Sequence, residues 1–162
     1  HKVKAFDVLL DALSLLPDHW LWLAGTGPEE QVLREQANRI GVEKRVRFLG
    51  WRQDVASLFA TADVFVCPSR QEPLGNVVIE AWAQNVPVVA AASAGPSELI
   101  THEVNGLLCP VDDPSQVAKA IINTHGAMAK NLCEGGWKKY QSCFSEQIVV
   151  DKYLKLFETV KH

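Results

Sequence analysis

Glu72, Gly75 and Glu80 stand in one stretch, Ser69-Arg70-Gln71-Glu72-Pro73-Leu74-Gly75-Asn76-Val77-Val78-Ile79-Glu80. An apolar run, Val64-Phe65-Val66-Cys67, precedes it and suits a buried strand. The residues from Val77 to Gln84 suit a helix. A loop between strand and helix is where parallel α/β sheets bind ligands. The first turn of such a helix has open N–H groups and the positive end of its dipole, so it receives anions such as phosphate. Gly75 has no Cβ to hold a ligand away from the backbone. With Gly75 to Glu80 helical, Glu80 lies about 7–8 Å beyond Gly75 at ~1.5 Å per residue. The two carboxylates can then meet hydroxyls on opposite sides of a bound phosphate. On its own, a pair of glutamates at a helix start is more often a solvated face with a dipole effect.

The surrounding order of motifs decides between these. Pro68-Ser69-x-x-Glu72-x-x-Gly75 continues into Glu80-Ala81-x-Ala83, with seven residues between the glutamates. Pro87-Val88-Val89-Ala90, Gly95-x-x-Glu98 and Asn105-Gly106-Leu107-Leu108 follow. This set resembles the donor-binding, C-terminal half of the group 1, family-four retaining glycosyltransferases of GT-B fold, from Lys4 to about Pro114. The resemblance implies a nucleoside-diphosphate sugar as donor substrate, no metal and no further cofactor. It implies that Glu72 binds donor-sugar hydroxyls, that Gly75, Asn76 and Val77 offer backbone N–H groups, and that Glu80 accepts hydrogen bonds from ribose. Lys4, before Ala5-Phe6-Asp7-Val8-Leu9-Leu10, is similar to the family's lysine, which clamps the diphosphate with a nearby arginine. Glu72 and Lys4 are therefore the catalytic candidates. The family's arginine and first strand would precede His1, so the chain reads as a domain whose first strand is missing. Direct pairing of the flanking strands, another chain or further residues would close that gap.

Ser69 and Arg70 complete the candidate donor loop; Arg70 could serve phosphate or be a solvated loop arginine. Gly25-Thr26-Gly27 is a turn after a strand, near the nucleotide in the family. Leu49 belongs to Phe48-Leu49-Gly50-Trp51, where the family holds the base largely through backbone groups. Trp51 could stack on a base and is expected rather to pack. Glu98 and His102 are expected at the surface, and Trp82 in the core.

At 162 residues the chain is expected to be one nucleotide-sugar-binding domain, 1–162, with closing helices over about 136–160. It is 48% apolar and 22% charged with a net charge of −3, which argues against a broad nucleic-acid footprint. The four cysteines include no C-x-x-C pair, which fits a reducing cytoplasm; Cys67 and Cys109, in apolar runs, are expected as small core residues. The expected location is cytoplasmic, with peripheral contact at the inner membrane face left open. The expected partners are the nucleotide-sugar, an acceptor of saccharide or lipid-linked saccharide class, and an N-terminal acceptor-binding domain, without nucleic acid.

Periodicity predicts helices over 4–16, 28–40, 54–60, 77–84, 96–100, 113–128, 137–143 and 146–160, with Gly135-Gly136 as a break. Strands are predicted over 19–24, 46–49, 64–67, 87–91 and 106–109. Strands alternating with helices predict a Rossmann-like, doubly wound parallel sheet covered on both faces. Two alternatives stand beside the transferase: an isomerase like the nucleotide-sugar 2-epimerases, and a nucleotide-binding module without turnover.

Overall fold

The computed structural model describes residues 1–160. Five short parallel strands alternate with helices as the apolar runs predict. They are β1 (Leu21–Ala24), β2 (Val46–Gly50), β3 (Phe65–Cys67), β4 (Val88–Ala91) and β5 (Leu107–Cys109). The helices are α1 (Phe6–Ser14), α2 (Glu30–Arg39), α3 (Val55–Thr61), α4 (Asn76–Ala83), α5 (Ala94–Leu99), α6 (Pro114–Asn123), α7 (Gly126–Cys143) and α8 (Glu146–Val160). A 3-10 turn, Lys2–Lys4, precedes α1.

The strands fall into two sheets, β1-β2 and β3-β4-β5. Leu21 faces Val46 in the first, and Val66 faces Val89 in the second. Among the described residues β1 and β3 share no ladder, so direct pairing of these two strands does not occur. Side-chain alternation along β4 explains why its residues are all apolar. Val89 joins a core with Leu9, Leu10, Leu13, Val117 and Ile121 on one face. Val88 and Ala90 join a second core with Val78, Ala81 and Trp82 on the other. A strand buried on both faces reads as a continuous apolar run. Leu23 of β1 and Val46 of β2 belong to the first core, which therefore runs under both sheets.

Two expectations are corrected here. The helix expected over 4–16 is interrupted at Ala5, which is fully buried and has a φ of 53°. The carbonyl of Val3, which would continue the helix, instead accepts a hydrogen bond from the Arg70 backbone N–H at 2.8 Å. Gly135 and Gly136 do not break the chain; they lie inside α7. A Cβ on Gly135 would strike the carbonyl of Val104, and one on Gly136 the indole of Trp82. These glycines let α7 close on the rest of the domain, which composition alone does not distinguish from a turn. The real break falls earlier, between Asn123 and Gly126. Trp82 is fully buried, as expected, and its Nε1–H donates to the Asn105 carbonyl at 2.8 Å.

Gly136→Ala is expected to destabilise the protein by about 1–3 kcal/mol through overpacking against Trp82. Urea denaturation measures it; an unchanged midpoint would show that α7 can back away at no cost.

Candidate active site

The β3–α4 loop carries the candidate residues, and three neighbours fix its shape. Gly75 is the residue before α4, with a φ of 73°. Only glycine holds that left-handed conformation without strain. Among the described residues no side chain caps α4, so the N–H groups of its first turn, at Asn76 and Val77, are open to a ligand. Gly95 of α5 presses against the loop from behind. Its N–H donates to the Glu72 carbonyl at 2.7 Å. A Cβ there would come within 2.6 Å of Leu74 and 2.7 Å of the Glu72 carbonyl. The Gly95-x-x-Glu98 motif thus owes its glycine to close approach. Glu98 itself is exposed.

Lys4 closes the site from the other side. Its Nζ donates to Glu72 Oε2 at 2.7 Å across 68 residues of chain. The Glu72 side chain is only 12% exposed, whereas Lys4 is 44% exposed. The two candidates chosen as catalytic are therefore in direct contact. The ion pair thus stands on the loop that leads into the start of α4. The arrangement suits an anion flanked by hydroxyls: N–H groups and ammonium for the charge, carboxylate for the hydroxyls.

Arg70 lies beside this pair but does not point into it. Nη1 and Nη2 form a two-pronged pair with Asp7 at 3.0 and 2.7 Å. Nη1 also donates to the Lys2 carbonyl at 2.6 Å, and Nε lies 2.6 Å from Asp112 Oδ1. The solvated-arginine expectation is therefore set aside. The Arg70 hydrogen bonds hold the Asp7 carboxyl below the usual carboxylate range, against the opposing effect of burial. A carboxylate with a depressed folded pKa stabilises above its unfolded value, near 3.9, and loses that contribution as pH falls through the folded value. Asp7→Asn is expected to flatten the acid side of the stability profile below about pH 4. Denaturation midpoints at pH 6 and pH 3 measure this; an equal acid loss in both proteins would contradict it.

Ser69 is buried, and its Oγ lies 3.7 Å from the Cys67 Sγ, so it supports the loop from within. Glu80 is exposed and borders a shallow hollow of ≈ 170 Å³ between α3 and α4, with Val55, Ala56, Phe59, Ala83 and Gln84. Among the described residues no hydrogen bond engages its carboxylate. Gly25 follows β1 with its N–H donating to the Gly50 carbonyl at 2.7 Å, and Leu49 lies half-buried at the end of β2. Gly27 faces the His1 backbone, 3.7 Å from where a Cβ would sit. The turn from His1 to Lys4 thus runs from the β1–α2 loop to Glu72, which places both loops at one end of the molecule. Trp51 is 77% exposed and does not pack, contrary to expectation. His102 is exposed as expected, but its Nδ1 accepts the Leu108 N–H at 2.9 Å.

Three participants escaped the sequence reading. Asp7 and Asp112 pair with a residue far along the chain, which spacing does not reveal. Ser93, before α5, buries its hydroxyl without a partner among the described residues. No local pattern marks it.

The sequence profile of the group 1 glycosyl transferases matches residues 1–126. The chain belongs to that family. It is 40% identical over 155 residues to the lipopolysaccharide core biosynthesis glycosyltransferase LpsE of Rhizobium meliloti, covering 94% of this chain and 46% of that protein. The Anabaena protein Alr3699/HepE, crystallised with UDP and glucose, superposes with a TM-score of 0.89 at 30% identity, covering 99% of this chain and 45% of that one. The C-terminal domain of a group 1 glycosyl transferase (LpcC) from Francisella tularensis shares the fold. It superposes with a TM-score of 0.80 at 19% identity, covering 90% of this chain and 82% of that one. The chain spans about half the length of curated relatives such as LpsE. The family and α/β fold class expected from the sequence are borne out; the epimerase-like and non-catalytic alternatives gain no support. Among the described residues no helix is long and apolar enough to cross a membrane.

Proposed function

We propose that this chain is the donor-binding half of a glycosyltransferase that uses a nucleoside-diphosphate sugar. The contact between Lys4 and Glu72, on the loop that leads into α4, carries the reading. The donor diphosphate sits against the N–H groups of Asn76 and Val77, with Lys4 turned from Glu72 towards it. Charge builds on the diphosphate as the sugar leaves, and a fixed ammonium stabilises it without a metal ion. Glu72, relieved of part of its partner, accepts hydrogen bonds from the sugar. Glu80, farther along α4 and bordering the hollow beside α3, receives the ribose. Transfer keeps the anomeric configuration, and the acceptor is held by a second domain.

The surface of α8 supports that second domain. None of its residues is buried, and Tyr153, Leu154, Leu156 and Phe157 are each more than half exposed. An apolar helix face of that extent needs a cover.

The test is thermal denaturation of the full-length protein with UDP, GDP and ADP and with their sugars. One base is expected to stabilise, by about 2.7 kcal/mol at a hundred times its dissociation constant. Transfer should survive a chelator and yield product of unchanged anomeric configuration by NMR. No stabilisation by any nucleotide would reject the donor reading.

A further inference from the structure

We propose that Arg70 is a positioning residue that holds Lys4 at the site by tying three loops together. The proposal rests on the donor reading above and adds a role for a residue that the reading leaves idle.

Arg70 can reach a phosphate only by giving up what it holds. Its guanidinium is shared between the carboxylates of Asp7 and Asp112 and the carbonyl of Lys2. The three charges sum to −1, so the cluster repels an anion, and the neighbouring ammonium of Lys4 is what attracts one. Arginine suits the other task. Its rigid fork fixes the angle between partners, which a lysine's single ammonium does not.

The three loops come from distant parts of the chain. Lys2 and Val3 form the turn before α1, and both of their carbonyls are taken by Arg70, one by side chain and one by backbone. Asp7 lies in the first turn of α1. Asp112 lies in the turn between β5 and α6, at a φ of 58°. Arg70 itself is two residues from Glu72. The anchoring therefore brackets Lys4 on both sides, at Lys2–Val3 and at Asp7, and attaches both to the loop that carries Glu72. Ala5 is held in a left-handed conformation between these anchors. Such a conformation costs an L-residue energy and persists only where its surroundings impose it. Loosening Arg70 frees the turn and lets Lys4 leave Glu72, with the fold of the two cores unaffected.

Arg70→Lys and Asp112→Asn test this in the full-length protein, the second removing one arm of the cluster without changing size. Two measurements are made. Acetylation of Lys4 by an amine-reactive ester is followed by peptide mass spectrometry, relative to the exposed Lys130. It is expected to rise severalfold in both variants, at unchanged far-UV circular dichroism. Unchanged labelling of Lys4 in both overturns the proposal. Affinity is then measured for whichever of UDP, GDP and ADP stabilises the wild type most. Arg70→Lys should weaken it severalfold, because Lys4 is then no longer held where the diphosphate binds. Combined with Lys4→Ala, it should cause no further loss, because Arg70 acts through Lys4. Additive losses would show a separate role and overturn the proposal. Should no nucleotide bind the wild type, the donor reading falls, and the labelling of Lys4 alone still decides whether Arg70 positions it.

Discussion

Lys4→Ala is expected to lower sugar transfer by the full-length protein about 10²–10³-fold, the usual effect of removing one preorganised group that stabilises transition-state charge. The ground for this is geometric. Among the described residues Lys4 is the one cation in contact with the candidate carboxylate, and Arg70 beside it is already paired. The diphosphate gains charge as the glycosidic bond breaks, so the ammonium matters more in the transition state than in the bound donor. Turnover should therefore fall further than affinity for the nucleoside diphosphate. Lys4→Arg keeps the charge but not the compact ammonium, and should recover only part of the loss. Steady-state kinetics on the three proteins measure it. A Lys4→Ala enzyme with wild-type kcat would remove Lys4 from the chemistry.

Glu72 and Glu80 are expected to separate cleanly. Glu80 meets the same ribose before and during reaction, so its contribution is uniform binding. Glu80→Gln should weaken nucleoside diphosphate and nucleotide-sugar alike, by about 1.5–3 kcal/mol for a hydrogen bond to a charged group. Glu72 lies at the sugar end. Glu72→Gln should leave affinity for the free nucleoside diphosphate nearly unchanged and reduce turnover, because sugar orientation matters most at the reacting centre. The structure adds a complication that the sequence did not suggest. Glu72 also holds Lys4 before the donor arrives, so its neutral variant frees the ammonium. A slight gain in diphosphate affinity in Glu72→Gln fits this. Calorimetry with nucleotide and nucleotide-sugar measures both variants. Equal losses of free nucleotide binding would show the division of roles to be wrong.

Much of this was legible because it is local. The apolar runs of β4 and β5, the turn at Gly75 and the start of α6 at Asp113-Pro114 follow from patterns a few residues long. Asp113 Oδ1 accepts the Gln116 N–H at 3.0 Å, and Pro114 stands in the first turn, as those residue types favour. Family resemblance named Lys4 and Glu72 separately; their direct pairing was not legible, since 68 residues separate them. What stayed hidden depends on contacts between distant segments. Gly135-Gly136 carries the composition of a break, and only the indole of Trp82 shows why glycine belongs inside a helix there. The turn at Ala5 has no local signal; the chain turns because Arg70 takes the carbonyls that a helix would use. Trp51 is exposed at the end of β2, a position that hydrophobicity alone argues against.

A crystal structure of the full-length protein with the nucleoside diphosphate that stabilises it most tests the central claim directly. The diphosphate is expected within hydrogen-bonding distance of the Asn76 and Val77 N–H groups, with Lys4 Nζ moved from Glu72 onto a phosphate oxygen and Glu80 on the ribose. A nucleotide ordered elsewhere, with the Lys4–Glu72 pair intact and the start of α4 untouched, would contradict the account.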